Sequence, residues 1–303
     1  MPIVLNGTTG ITSPAVSTPD FLDTNALGMR NRLINGSMMI DQRNLGASRT
    51  ITAAAALSYT VDRWYAYCTG ANVTGQRVAG ANANLFRYQF TGAAGVTAIG
   101  FAQRIEAFNS ADLAGTVATL SVDLSNSVLT TVTWAAFYAN TTDTFGTLAS
   151  PAKTLIASGA FTVTSTVANY ATQISIPAAA STGIEIVLSV GAQTSGTWTI
   201  GNVQFEAGSV AGPIERRLFG QELLLCQRYY ETLTAYSVLK GAQYDSNSWI
   251  FVAQYLIKRI VPTITCSTAF SLPSDRRTVA GAVMTSSGPL DGPTVFIDAE
   301  MIN

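Results

Sequence analysis

The stretch Ile184-Glu185-Ile186-Val187-Leu188-Ser189-Val190 places Ile184, Ile186, Leu188 and Val190 at every second position. A period of two sets those four side chains on one face of an extended strand and Glu185, Val187 and Ser189 on the other. The same habit recurs on both sides of it. Upstream stand Ser58-Tyr59-Thr60-Val61, leading into Asp62-Arg63-Trp64-Tyr65-Ala66-Tyr67, then Phe86-Arg87-Tyr88-Gln89-Phe90 and Leu120-Ser121-Val122-Asp123-Leu124. Ile174-Ser175-Ile176 and Trp198-Thr199-Ile200-Gly201-Asn202-Val203-Gln204-Phe205-Glu206 flank it more closely. These runs are β-branched and aromatic, are bounded by Gly, Asn, Ser and Pro, and have no helical stretch between them. They predict a jelly-roll β-sandwich over residues 31–212.

The chain changes character beyond those limits. Residues 1–30 are rich in Thr, Ser, Gly, Asn and Pro, with apolar punctuation at Ile3, Val4, Leu5 and Ile11. They are too few to enclose a core and read as an extended N-terminal arm that orders against a partner, or else as a frayed end. In residues 213–232, Leu218, Glu222, Cys226 and Tyr229 fall at helical spacing, which predicts a linker helix of about four turns. A helix that short is marginal in water and must pack on something. From 233 to 303 the strand pattern returns in Trp249-Ile250-Phe251-Val252-Ala253-Gln254-Tyr255-Leu256-Ile257 and Val261-Pro262-Thr263-Ile264-Thr265. At the end, Val295, Ile297, Ala299 and Met301 share one side of a strand. A smaller C-terminal β tip domain of four to six strands is expected, so the fold class is mainly β.

Composition narrows the function. Of 303 residues, 48% are hydrophobic and only 12% charged, against about a quarter charged in ordinary globular chains. Strands so poor in charge need cover on both faces, from a second sheet or from other subunits. The net charge is −1 and the isoelectric point about 5.5. The densest basic spot, Arg216-Arg217, sits beside Glu215, so no basic face exists for nucleic acid. No apolar run approaches the roughly 18 residues of a membrane span, and the first residues lack a signal-peptide pattern. Cys68, Cys226 and Cys266 are odd in number and far apart, which fits neither a zinc site nor a disulfide framework and suggests reduced, buried thiols. Histidine is absent. Ser-His-Asp and Cys-His nucleophiles are thereby removed, as are imidazole metal sites. No cofactor or metal is expected, and any catalysis would have to run on carboxylates.

Several phrases resemble phage tail-fibre and tail-collar proteins. The opening Met1-Pro2-Ile3-Val4-Leu5-Asn6-Gly7-Thr8-Thr9-Gly10-Ile11 is similar to their start. Ile34-Asn35-Gly36-Ser37-Met38-Met39-Ile40-Asp41-Gln42-Arg43-Asn44 and Tyr59-Thr60-Val61-Asp62-Arg63-Trp64 resemble the beginning of their jelly-roll module. Gln103-Arg104-Ile105-Glu106, Gly196-Thr197-Trp198-Thr199-Ile200 and Val203-Gln204-Phe205-Glu206-Ala207-Gly208 resemble its later strands. Pro213-Ile214-Glu215-Arg216-Arg217 through Gly220-Gln221-Glu222-Leu223 to Cys226-Gln227-Arg228-Tyr229-Tyr230 is similar to the linker before a receptor-facing tip. The resemblance keeps its order over residues 1 to 230 and fades beyond. It implies a carbohydrate-binding-module-like jelly-roll, a homotrimer and a place in the virion tail, in a protein synthesised in host cytoplasm. Some such jelly-rolls hold calcium through an Asp near the last strand. Asn202 stands at that position here, which puts the ion in doubt.

Candidate glycan-binding residues are Trp64, Tyr244, Asp245, Asn247 and Trp249. An aromatic face matches the C–H face of a pyranose, and a neighbouring polar group can bond hydroxyls. Trp64 belongs to a scaffold phrase and serves equally as a core anchor, with Asp62 and Arg63 pairing at the strand end. The segment 244–249 reads as an aromatic-and-amide loop, or as a plain turn before a buried Trp. Trp134 and Trp198 read as core. Glu106, Asp112, Asp123, Glu185 and Glu206 are the carboxylates from which a glycosidase pair, about 5 to 9 Å apart, would have to come. Glu106 and Glu206 look structural, and Glu215, Arg216, Arg217 and Glu222 read as a salt-bridge cluster on the linker helix. The expectation is a non-enzymatic receptor-binding subunit of a phage tail fibre. The arm would dock on tail or baseplate proteins, and the rest would attach to host cell-surface polysaccharide without inserting in the membrane. A polysaccharide depolymerase tail-spike and a purely structural collar, baseplate or cement subunit remain the alternatives.

Overall fold

The structure, a computed structural model, describes residues 29–54, 57–80, 85–233, 255–265 and 295–301 with their side chains. It also describes the backbone of strands at 4–6, 10–12, 239–245, 248–254, 270–271 and 278–284, and of residue 266. Within the expected arm, β1 (Val4–Asn6) and β2 (Gly10–Thr12) pair as an antiparallel hairpin.

Twelve strands form the sandwich. They are β3 (Arg49–Ile51), β4 (Ser58–Tyr59), β5 (Tyr65–Thr69), β6 (Val73–Ala79), β7 (Phe86–Thr91) and β8 (Ala98–Ile105), then, after the short helix α1 (Ala107–Ser110), β9 (Val117–Asn126), β10 (Thr131–Ala139), β11 (Lys153–Thr162), β12 (Ala168–Ser175), β13 (Ile184–Val190) and β14 (Thr197–Ala207). One antiparallel sheet has the order β11-β10-β13-β8-β5-β4 and the other β12-β9-β14-β7-β6-β3. From β7 onward the chain crosses repeatedly between the sheets, the hallmark of a jelly-roll. The alternation read from the sequence decides what lies between them. Ile184, Ile186, Leu188 and Val190 meet Leu120, Val122 and Leu124 in one buried cluster. Trp64 stacks on Phe101 at 4.8 Å, Phe101 on Tyr88 at 5.1 Å, and Phe90 on Trp198 at 5.3 Å. Offset aromatic pairs of this kind add about 0.5–1.5 kcal/mol each beyond the area they bury.

The phrases that carry the tail-fibre resemblance are staples of this scaffold. Asn35, at φ 57°, donates its amide to the carbonyls of Ile40 and Asp62 at 2.7 and 3.0 Å and accepts from the Ile40 N–H. Its own carbonyl receives the Trp64 indole N–H at 3.0 Å, and its N–H donates to Glu222. Gln103 makes a strand-like pair of bonds, each 2.7 Å, with both backbone groups of Ile34. Asp62-Arg63-Trp64 is a tight turn with Arg63 at φ 71°, closed by Thr60 and Trp64. Asp62 and Arg63 do not pair with each other: Asp62 accepts from Gln42, and Arg63 reaches Glu300.

The linker helix is shorter than its periodicity suggests. α2 spans Phe219–Gln227, about two and a half turns. Arg217 marks the late start: its guanidinium donates to the carbonyls of Asn31 and Leu33, tying residues 213–218 to the jelly-roll entrance, and Leu218 just before the helix is extended. Arg217 also pairs with Glu215 and Glu222, each at 3.4 Å, so three of the four expected residues form a charge cluster around the helix entrance and Arg216 stands outside it. Glu222 and Cys226 are the buried side of α2. At its end the buried Lys258 donates to the Gln227 carbonyl and pairs with Glu231 at 2.6 Å, a cation at the negative pole of the helix.

Beyond α2 come β15 (Tyr230–Leu233), β16 (Leu239–Asp245), β17 (Ser248–Gln254), β18 (Thr263–Cys266), β19 (Phe270–Ser271), β20 (Thr278–Met284) and β21 (Val295–Asp298). They make two antiparallel sheets, β15-β21-β18 and β16-β17-β20-β19. Val295, Ile297, Ala299 and Met301 are buried, as their alternation requires. Met301 packs with Ala139 and Phe145 of the jelly-roll region, so the C-terminal segment returns to the sandwich. Cys68 and Cys226 are free and buried, and Cys266 lies outside the described side chains.

Candidate functional site

Trp64 cannot serve as a sugar platform. It is fully buried, stacked on Phe101 and bonded through its indole N–H, and it is the core anchor of the sandwich. Trp134 and Trp198 are also buried. Tyr244 and Asp245 end β16, and Trp249 is the second residue of β17, in register with Gln243. The side chains of these three lie outside the described residues, as does the whole of Asn247.

The five carboxylates hold the structure together. Glu106 faces Arg228 at 2.9 Å and Arg259 at 3.8 Å, and Asp112 pairs with Arg32. Asp123 accepts from the amides of Asn169 and Asn202 at 3.0 and 2.8 Å. Glu185 takes Arg104, Lys153 and the Tyr65 hydroxyl. Glu206 takes Arg30, Gln204 and the Gly212 N–H. Among the described residues, no group of three or more Asp, Glu or Cys side chains gathers as a metal site.

The outward faces of the two sheets differ sharply. Because Leu120, Val122 and Leu124 point inward, the other side of β9 carries buried Thr119, Ser121 and Ser125 with part-exposed Asp123, flanked by exposed Asn169, Ala171 and Gln173 of β12. That surface is small and polar. The opposite sheet turns aromatic side chains outward. Register aligns Tyr67, Gly100, Ser189 and Thr133 in one row and Tyr59, Tyr65, Ala102, Val187 and Ala135 in the next. Arg104, Glu185 and Phe137 form a third.

Within this face Tyr59, Tyr65, Ala102 and Val187 are buried, and Leu57, Tyr67 and Phe137 form a half-buried ring around them. Tyr67 lies across Gly100, where a side-chain carbon would fall inside its ring. A glycine is required there so that the phenol can lie down on the sheet. Two strands along the same row, Thr133 and Ser189 share a hydroxyl–hydroxyl bond at 2.7 Å. The Lys153 ammonium sits 4.2 Å from the Phe137 ring. Burial, with the Glu185 carboxylate nearby, pushes the Tyr67 hydroxyl up from its ordinary value, so it stays a protonated donor at neutral pH. What this face leaves open is the half-buried Tyr67 ring with the Ser189 and Thr133 hydroxyls along its row: chemistry suited to one polyhydroxylated ring.

The sequence shows Tyr65-Ala66-Tyr67 as a strand but not what its outward side meets. The available signal was two tyrosines on the non-core face opposite Gly100 and Ala102, and only the strand order brings those segments together.

No protein-family model matches the chain, and no curated protein matches it. Solved structures match it at low identity. A structure described as CBM4 is 15% identical over 57% of this chain and 98% of its own, with a TM-score of 0.37. TmCBM61, in complex with β-1,4-galactotriose, is 13% identical over 59% of this chain and 99% of its own, with a TM-score of 0.36. The enzymatically active domain of tailspike protein 4 of Bacteriophage CBA120 is 18% identical, with a TM-score of 0.36, and the match spans 59% of this chain and 22% of that one.

Proposed function

We propose that this chain is a non-enzymatic receptor-binding subunit of a phage tail fibre, carried in the virion as a homotrimer. In this reading its jelly-roll holds a host surface glycan and residues 1–30 dock on the tail. The observation that carries the glycan reading is Tyr67 laid over Gly100 in one row with Ser189 and Thr133. A pyranose stacks its C–H face on such a ring while its hydroxyls meet the neighbouring ones. The tail-fibre part rests on the ordered sequence phrases. Assembly is supported by apolar side chains that a single chain leaves in water near the two helices: Phe108 at 92% exposure, Leu218 at 75%, Phe219 at 59% and Leu224 at 55%. Three weak sugar sites on one particle would gain affinity through avidity. The engagement of Glu106, Asp112, Asp123, Glu185 and Glu206 with structural partners favours binding over hydrolysis.

Light scattering on the full chain should give three times the monomer mass, and a monomer would remove the assembly. Oligosaccharide binding and host-cell staining should fall with Tyr67→Ala. If Trp249→Ala abolishes them and Tyr67→Ala does not, the contact belongs to the β16–β17 hairpin. Release of reducing ends from host polysaccharide would make the protein a depolymerase.

A further inference from the structure

A cleft of about 420 Å³ lies where the sheet β15-β21-β18 meets the loop that carries Arg43, whose guanidinium also lies 5.0 Å over the Tyr59 ring of the adjoining sheet face. Its size falls within the range of small-molecule sites, about 300–1,000 Å³. Strand register builds its floor: Tyr230, Asp298 and Thr263 are direct neighbours, and Thr232, Phe296 and Thr265 form the next row. Direct cross-strand neighbours share a face. The Arg43 guanidinium stacks 3.6 Å over the Tyr230 ring and pairs with Asp298 at 3.0 Å. Ile260 and Val261, both exposed, form the rim.

Hydrogen bonding is incomplete at this spot. Glu300 is buried, and its Oε2 is taken by Arg63, but Oε1 accepts no hydrogen bond. The facing Arg43 Nη2 is 3.5 Å away, and it and Nε likewise donate none. That buried ion pair forms the base of the cleft and is closed to a ligand. The polar groups open to the cleft are the exposed Thr263 and Thr265 hydroxyls and the part-exposed Asp298 carboxylate, which suit hydroxyl partners, and Phe296, Ile260 and Val261 supply apolar surface for C–H groups. Asp298 and Glu300 are matched by Arg43 and Arg63, so no cation is left over to draw an acidic ligand, whose carboxylate would instead meet the part-exposed Asp298.

We infer that this cleft is a second ligand site that takes a single neutral or amino sugar residue, such as the end of a glycan chain. The inference stands apart from the Tyr67 platform and does not need it. Saturation-transfer NMR on the full chain tests it, with methyl glucoside, methyl galactoside, methyl N-acetylglucosaminide, glucosamine and glucuronic acid as probes. At least one neutral or amino sugar should bind, and glucuronic acid should not. Thr265→Trp and Val261→Trp fill the cleft from exposed positions without touching the ion pairs, and each should weaken binding at least tenfold. Tyr67→Ala should leave it unchanged. The inference is overturned if no probe binds the wild type or if glucuronic acid binds as well as the others. It is equally overturned if the filled variants, folded by circular dichroism, bind like the wild type, or if Tyr67→Ala alone removes the signal. If Tyr67→Ala leaves oligosaccharide binding intact while the filled cleft loses monosaccharide, the platform reading fails and the cleft stands.

Discussion

The sandwich interior and the joint at its base are both buried, yet they are held by opposite chemistry. Between the sheets lie Trp64, Phe101, Tyr88, Phe90 and Trp198 with aliphatic neighbours. At the joint Arg63, nearly inaccessible, pairs with Glu300 and lies 3.4 Å over the Tyr229 ring. Arg104 pairs with Glu185 at 2.7 Å and donates to the Met301 carbonyl. Apolar contacts tolerate many geometries, whereas a buried ion pair tolerates few and is strongly destabilised when one partner is lost. The sandwich therefore gains most of its stability from area. The joint gains specificity of position, fixing where the C-terminal segment returns.

The largest effect should come from breaking the joint. Glu300→Ala leaves Arg63 buried without its carboxylate and should cost about 3–5 kcal/mol in denaturant unfolding. Trp64→Ala should cost a similar amount, about 3–5 kcal/mol, through a cavity. The two sites then separate on rescue. The double variant Arg63→Met with Glu300→Leu should recover much of the single loss, since apolar replacement of a buried pair is often neutral or better. A double variant no more stable than Glu300→Ala would mean that the joint is not governed by charge.

Gly100→Ala should cost about 1–3 kcal/mol by forcing Tyr67 off the sheet, and it should weaken oligosaccharide binding in the same titration. A smaller effect separates the regions by pH. Asp62, beside the joint, is pushed up to about 6 by burial, against the pull of its Gln42 bonds and of Arg43. A carboxyl raised above its unfolded value favours the folded state most when protonated, and that advantage is lost as pH rises from about 4 through 6. Thermal melts of wild type and Asp62→Asn should thus diverge in favour of wild type as pH falls from 7 to 4, by about 1–2 kcal/mol. Parallel melts would show that Asp62 does not titrate there. Tyr67→Ala should change stability least, by under about 1 kcal/mol for a half-buried ring, while weakening glycan binding about three- to tenfold.

The sequence by itself determined the class of fold and its inward faces. A strand's two faces are set by local geometry, so Ile184, Ile186, Leu188 and Val190, or Val295, Ile297, Ala299 and Met301, declare their burial without reference to the rest of the chain. Absent histidine and scarce charge likewise bound the chemistry before any contact is known. Tertiary structure alone decided the rest. It buried Trp64 against Phe101, cut the linker helix to Phe219–Gln227, anchored Arg217 on Asn31 and Leu33, and brought Tyr67, Gly100, Ser189 and Thr133 into one row. It also set Arg43 beside Glu300, over 250 positions away. Those placements depend on strand order and on ion pairs between distant segments, and neither leaves a periodic trace along the chain.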